Sequence, residues 1–181
     1  MFYQADYKSP LGSITLASDG SNLVGLWFQG QKYYAKTVLQ PMASQESLPV
    51  FQTVKQWLDR YFTGQNPATT GLPLKPAGSE FRQEVWRMLC EIPYGQVVTY
   101  GLLAQRLALK LGRTSMSAQA VGGAVGHNPI SILIPCHRVV GANGSLTGYA
   151  GGISRKIKLL ELEGADTSRL VVPKNGSAVS P

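Results

Sequence analysis

The alternating run LGSITLASDG (11–20) ends in a turn signal, and NLVGLWFQG (22–30) follows after one residue. The pair predicts a β-hairpin in a β-rich opening segment. The period then changes. In LPVFQTVKQWLDRYFTG, residues Val50, Phe51, Val54, Trp57, Leu58, Tyr61 and Phe62 recur at helical spacing, with Gly64 beyond the end. This aromatic stripe reads as core rather than as a cofactor box. Residues 64–78 are rich in Gly, Pro and Thr without periodicity and read as a linker.

The second half is mainly helical in pattern. Ser79 is an N-cap candidate with Glu80 in the first turn, and Phe81, Val85, Trp86 and Leu89 form an apolar face that IPYG (92–95) stops. QVVTY (96–100) reads as a short extended piece, with Thr99 capping a helix through about Leu109. After the basic turn KLGRTSMS, the small-residue run AQAVGGAVG (118–126) predicts a second short helix, so the two suggest helix-turn-helix. Gly122, Gly123 and Gly126 each cost about 1 kcal/mol relative to Ala in a helix interior. Something must therefore approach that backbone closely, either a DNA groove or a neighbouring helix. ISILI (130–134) reads as a buried strand leading to Pro135-Cys136-His137-Arg138, and GANGSLTGYAGG (141–152) as a wing-like loop. Ser154 would cap a last helix with Ile157, Leu159 and Leu160 inward and Gly164 at its C′ position. The expected fold is α/β (α+β). It comprises a small N-terminal β-sheet with a helix over 1–63, a linker over 64–78, a mainly helical, winged helix-turn-helix-like domain over 79–165, and a flexible tail over 166–181.

Charge sharpens the reading of the second half. The 181-residue chain has a net charge of +7, and between Ile92 and Lys158 it carries Arg106, Lys110, Arg113, Arg138, Arg155, Lys156 and Lys158 but no Asp or Glu. An acid-free segment of that length draws polyanions, DNA among them. The bland alternative is a basic surface without a partner. No apolar run is long enough for a transmembrane helix, and the N-terminus MFYQADYKSPLGS lacks the basic head and apolar stretch of a signal peptide. The expected compartment is the cytoplasm, where Cys90 and Cys136 stay reduced. With His127 and His137 as the only histidines and no CxxC or HExxH, no metal site is expected.

Candidate chemistry gathers at Cys136. His137 and Arg138 supply adjacent positive charge that favours a thiolate, Pro135 fixes the backbone before it, and glycines with a tyrosine follow. A small core hydrophobe is the alternative. Neighbours on extended chain point to opposite faces, so a Cys136–His137 partnership needs a bridging water or a turn. A histidine acting as base needs an orienting acceptor, and Glu163 on the last helix is the candidate. Cys90 lacks such surroundings and reads as structural.

IPCHRVVG, GSLTGYAGG, RKIKLLELEG and the preceding FRQEVWRMLCEIPYGQVVTYGLLA together resemble the O6-alkylguanine-DNA alkyltransferases, the methylated-DNA–protein-cysteine methyltransferases, over about residues 75–165. The resemblance implies a DNA repair protein that flips O6-methylguanine, and O4-methylthymine, out of duplex DNA and moves the alkyl group irreversibly to its own cysteine. No cofactor is implied, and the partner is double-stranded DNA carrying O6-alkylguanine, met by a monomer that clusters on DNA. By family pattern Cys136 is the acceptor, His137 its base through a water, and Glu163 the group that orients His137. Tyr100 protonates the leaving base, Asn128 ties the recognition helix to the site, and the carbonyls of Cys136 and Val139 read the guanine amine. Tyr149, Ala150 and Lys156 line and close the pocket, and Arg138 is a DNA contact. The sequence departs from the pattern at Gln119, where many members carry an arginine finger; Gln119 is a weakened wedge or a plain surface residue, with affinity then leaning on Arg113 and Lys110. A lesion-binding module without transfer is the alternative function, and Cys136 argues against it.

Overall fold

Residues 12–18 alternate in polarity, and in the computed structural model of the chain, which describes residues 1–172, they form an inner strand of a four-stranded sheet. The strands are β1 (Phe2–Ser9), β2 (Gly12–Ser18), β3 (Leu23–Phe28) and β4 (Met42–Ser44), in the order β3-β2-β1-β4. β2 runs antiparallel to both β1 and β3, and β4 is parallel to β1. The expected hairpin is β2–β3. β1 and β4 were not foreseen: only Ala5 of β1 is fully buried, and β4 has three residues, so neither shows a clear period. α1 (Pro49–Phe62) buries Val50, Phe51, Val54, Trp57, Leu58 and Tyr61, the stripe read from the sequence.

Three helix starts follow the capping chemistry of their sequences. Ser79 Oγ accepts from the Arg82 N–H at the head of α2 (Glu80–Cys90), and Thr99 Oγ1 from the Leu102 N–H (3.1 Å) at the head of α3 (Tyr100–Lys110). Ser117 Oγ accepts from the Ala120 N–H at the head of α4 (Ala118–Gly126). α3 and α4 form the helix-turn-helix, and the Trp86 indole of α2 donates to the Ala124 carbonyl at 2.9 Å, pinning α4 from behind. β5 (Val98–Thr99) pairs in parallel with β6 (Val139–Val140), and α5 (Ile153–Leu162) closes the fold. No helix among the described residues is long and apolar enough to cross a membrane.

One apolar core runs from Ile14, Leu26 and Phe51 through Trp86 and Leu107 to Ile134 and Leu159, so sheet and helices are buried against each other. Backbone bonds reinforce the seam: Leu26 N–H donates to the Pro129 carbonyl and Ser131 N–H to the Leu26 carbonyl, each at 2.9 Å. The stretch read as a linker is tied to β3 as well, through Leu23 N–H to Pro73 (2.7 Å) and Lys75 N–H to Leu23 (2.8 Å).

Two local expectations are corrected. ISILI is no strand: Ile130 alone bridges Leu26, Ile132 sits in left-handed backbone at φ 68°, and Ile134 N–H turns back to the Ile130 carbonyl. Its side chains are buried around a turn, which periodicity cannot tell from a ladder. α5 starts after Gly152 at φ 92° with no side-chain cap, leaving Ser154 inside the first turn. Within the expected tail, Val171 bridges to the wing: Leu146 N–H donates to the Val171 carbonyl (2.8 Å) and Val171 N–H to that of Gly144 (3.0 Å). The remainder of that tail, 173–181, lies outside the described residues.

Thr99→Ala removes the cap one residue before Tyr100. The expected loss is about 1 kcal/mol, read as a lower urea midpoint with an unchanged m-value.

Candidate active site

Pro135 leads into a single 3-10 turn, Cys136–Arg138, rather than extended chain. Cys136 N–H donates to the Ile134 carbonyl (2.8 Å) and Arg138 N–H to that of Pro135 (3.1 Å), so the turn closes on its own backbone. The chain here is therefore turned and not extended, although Cys136 and His137 make no direct hydrogen bond among the described residues. Both side chains are buried, with Cys136 6% and His137 0% exposed. Asn128, just past α4, holds the segment together. Its amide nitrogen donates to the Ile134 carbonyl (2.8 Å), the Ile130 carbonyl (3.3 Å) and Cys136 Sγ (3.2 Å), while its oxygen accepts from Ile130 N–H (3.0 Å). Burial pushes the Cys136 thiol up; the Asn128 bond and the Lys156 charge oppose that push without reversing it.

Glu163 ends α5 beneath the turn. Its carboxylate accepts from His137 Nε2 (2.7 Å), Arg138 Nε (2.8 Å) and Nη2 (3.0 Å), Tyr61 Oη (2.7 Å) and Gly95 N–H (3.1 Å). Burial alone would raise its pKa, but the bonds from His137 and Arg138 outweigh it and hold the carboxyl well below the usual carboxylate range. Burial holds His137 below the ordinary imidazole value, partly offset by Glu163, so the ring is neutral. A carboxylate only accepts, so Nε2 carries the hydrogen and Nδ1 is left as an acceptor. Nδ1 is buried without a hydrogen-bond partner among the described residues.

The other expected site residues divide. Lys156 is fully buried, with Nζ donating to the carbonyls of Val139 (2.5 Å) and Thr147 (3.0 Å), and burial lowers its pKa to about 8. The Val139 carbonyl thus already has one partner. Tyr100 begins α3 with its hydroxyl near the Thr147 carbonyl (3.4 Å), and burial, then the Cys136 charge, raises its pKa to about 12. Tyr149 is buried against Gly151, where a Cβ would stand 2.6 Å from its ring, so only glycine fits there. Gly122, Gly123 and Gly126 of α4 line a groove of about 220 Å³ together with Lys32, Tyr33, His127 and residues 148–150, while Val121, Ala124 and Val125 make the helix's packed face. The glycines therefore serve the groove rather than a neighbouring helix.

One expected DNA contact is corrected. The Arg138 guanidinium turns inward to Glu163 and the Ile92 carbonyl (2.6 Å), because the buried carboxylate is the stronger partner. Lys110 pairs with Glu84 at 2.7 Å across to α2. Gln119 and Arg113 are exposed, Gln119 in the first turn of α4 and Arg113 in the connection before it.

Sequence reasoning missed Tyr61 and Gly95. Tyr61 belongs to an aromatic stripe and signals only packing, yet its hydroxyl reaches Glu163 across 102 positions of sequence. Gly95 has φ 74°, and a Cβ there would lie 2.7 Å from the Glu163 carbonyl oxygen, so the IPYG turn needs glycine to approach α5.

Fold and site define a helix-turn-helix protein whose buried cysteine, backed by a histidine–carboxylate pair, lies in the same lobe as a glycine-lined groove. Residues 80–165 match the family model described as "6-O-methylguanine DNA methyltransferase, DNA binding domain", and residues 2–76 the model described as its "ribonuclease-like domain". A methylated-DNA–protein-cysteine methyltransferase of Haemophilus influenzae is 42% identical over 161 residues, covering 89% of this chain and 86% of its own. One of Mycobacterium tuberculosis is 42% identical over 164 residues, covering 90% and 93%. The crystal structure of Mycobacterium tuberculosis O6-methylguanine methyltransferase superposes with a TM-score of 0.76 at 39% identity, covering 96% of this chain and 97% of that one. The same organism's OGT in complex with DNA gives 0.74 at 40% identity, covering 93% and 94%. The chain belongs to the 6-O-methylguanine DNA methyltransferase family.

Both buried groups make the fold acid-sensitive, with the same sign. His137 titrates below its unfolded value of 6.5 and Glu163 below its unfolded value of 4.5. Their stabilisation is present at neutral pH and is lost first below 6.5, then further below 4.5. Glu163→Gln is expected to cost about 3–5 kcal/mol at pH 7 and to flatten the stability profile below about pH 4.5 in urea melts. Tyr61→Phe is expected to cost less, about 1.5–3 kcal/mol, in the same melts.

Proposed function

We propose that the protein repairs O6-alkylated guanine, and O4-methylthymine, in duplex DNA by moving the alkyl group irreversibly to its own Cys136. The observation that carries this reading is the buried Cys136 Sγ, held by the Asn128 amide in the same turn as the His137–Glu163 pair. The lesion is shielded in the base stack, so the nucleotide must be extruded at a cost of a few kcal/mol. α4 with its glycine face enters the minor groove, where close backbone approach is possible. The flipped base then lodges beside Tyr149 and residues 148–150.

At the site the Cys136 thiol proton passes through one water to His137 Nδ1, and Glu163 stabilises the imidazolium. Sγ attacks the alkyl carbon, an S–C bond forms, and the O6–C bond breaks with its electron pair left on guanine. Tyr100 donates a proton to the ring nitrogen, the His137 imidazolium gives up the thiol's proton through solvent to restore the Tyr100 hydroxyl, and the Cys136 and Val139 carbonyls accept from the exocyclic amine. The Lys156 cation favours thiolate character at Cys136 and braces the loop through Val139 and Thr147. The thioether has no route back, so each molecule acts once and the lesion is the methyl source; no cofactor is drawn on. Residues 79–165 carry the chemistry, 1–63 form the supporting domain, and 64–78 connect them. The protein works as a monomer that clusters on DNA, in the cytoplasm, where the thiol stays reduced.

Intact mass after incubation with a duplex bearing O6-methylguanine tests the reading. The expected result is a gain of one methyl in place of hydrogen on Cys136, absent in Cys136→Ala; an unmodified protein still bound to the duplex would replace transfer with lesion binding alone. His137→Ala is expected to slow single-turnover transfer by about 10²–10⁴ with near-parental DNA binding, and an unchanged rate removes His137 from the mechanism. Gln119→Ala is expected to slow repair of duplex lesions more than of single-stranded ones; equal rates for parent and variant on duplex would end the wedge role.

A further inference from the structure

Between Asp19 and Glu46 the only charged side chains are Lys32 and Lys36. Both are exposed, and neither meets a carboxylate among the described residues. Their loop follows β3 and is fastened to the opposite half of the chain. Lys32 N–H donates to the Ala150 carbonyl (3.0 Å), and the Gln31 amide oxygen accepts from Phe28 N–H (2.9 Å) and the Ser131 hydroxyl (3.3 Å). Tyr33 and Ala35 hold left-handed backbone at φ 64° and 53°, conformations that persist only when the surroundings enforce them. Tyr33 stacks on His127 with ring centroids 4.0 Å apart and 22° between planes. The ammonium groups of Lys32 and Lys36 lie 5.0 and 5.2 Å from the Tyr33 ring centre. Lys32 and Tyr33 thereby complete the groove lined by the α4 glycines and by Tyr149 and Ala150.

The groove needs cations if it takes DNA, and several candidates in the helical half are committed elsewhere. Gln119 is uncharged, Lys110 is paired with Glu84, and Arg138 faces Glu163. We infer that the Lys32–Lys36 loop is a second DNA contact: its two ammonium groups bind backbone phosphates of the strand whose extruded nucleotide enters the groove, and the Tyr33–His127 stack holds the loop in place. The inference rests on duplex DNA being the substrate. The contact reads phosphate, not base edges, so it adds affinity independent of sequence and sensitive to salt.

The test measures duplex binding against salt concentration in Cys136→Ser protein, which cannot consume the lesion, with and without Lys32→Gln and Lys36→Gln together. Each phosphate contact contributes about 0.9 to the logarithmic salt slope. The double variant is expected to lose about two contacts' worth of slope and to bind about ten-fold or more weakly at low salt. Tyr33→Ala, which frees the loop, is expected to bind several-fold more weakly than Tyr33→Phe, which keeps the stack. A double variant matching the parent in slope and affinity overturns the inference, as does weaker binding at an unchanged slope, which would make the loop a matter of shape. If the unmodified chain takes no methyl from the same duplex, the repair reading falls, while the salt slope still decides whether these lysines meet phosphate.

Discussion

A single buried carboxylate holds the two halves of this chain and its chemistry together. Glu163 receives five hydrogen bonds, one from α1 (Tyr61), one from the IPYG turn (Gly95) and three from the turn that carries the cysteine (His137 once, Arg138 twice). An ionised carboxylate moved into such a site unpartnered would cost several kcal/mol or would protonate. Its low pKa records that the donors more than offset burial. The same bonds choose the chemistry. With the hydrogen of His137 committed to Glu163 through Nε2, the ring has one tautomer and one orientation, and its free lone pair is at Nδ1.

Burial acts differently on the cysteine. A thiol pushed up in pKa rests protonated, so it is a poor target for stray oxidants and electrophiles. For a protein proposed to spend its nucleophile once, that quiet resting state conserves the reactive molecule. Activation must then be local and arrive with the substrate. In the proposed reaction the Asn128 amide, the Lys156 cation and the neutral His137 supply it; the first two are held on the carbonyls of Ile134 and Val139, and His137 on the Glu163 carboxylate.

Much of this was legible in the sequence. Caps at Ser79 and Thr99, the α1 stripe and the β2–β3 hairpin follow from local chemistry, and the His137–Glu163 contact was anticipated from the family's motif. Other features are non-local and leave no local trace. Tyr61 has the spacing of a core residue and is one; only the fold reveals that its hydroxyl ends on Glu163. ISILI was misread because burial around a turn and burial in a strand demand the same apolar composition. Ser154 looked like a cap because the glycine that actually starts α5 has no side chain to announce it.

Arg138 shows why net charge is a weak guide to the field a protein presents. The segment from Ile92 to Lys158 holds seven cations and no acid, but four of the seven are spent inside or on neighbours. Arg138 faces Glu163, Lys156 is buried on two carbonyls, Arg155 donates to the carbonyls of Leu11 and Gly151, and Lys110 pairs with Glu84. What remains for a polyanion is Arg106, Arg113 and Lys158, exposed and without a carboxylate partner among the described residues. Against that reduced set, Lys32 at the groove wall and Lys36 beside the Tyr33 ring form a sizeable share of the available charge. The N-terminal half, which has no catalytic residue of its own, thus reaches the site twice: through Tyr61 from below, and through the Lys32–Lys36 loop at the groove.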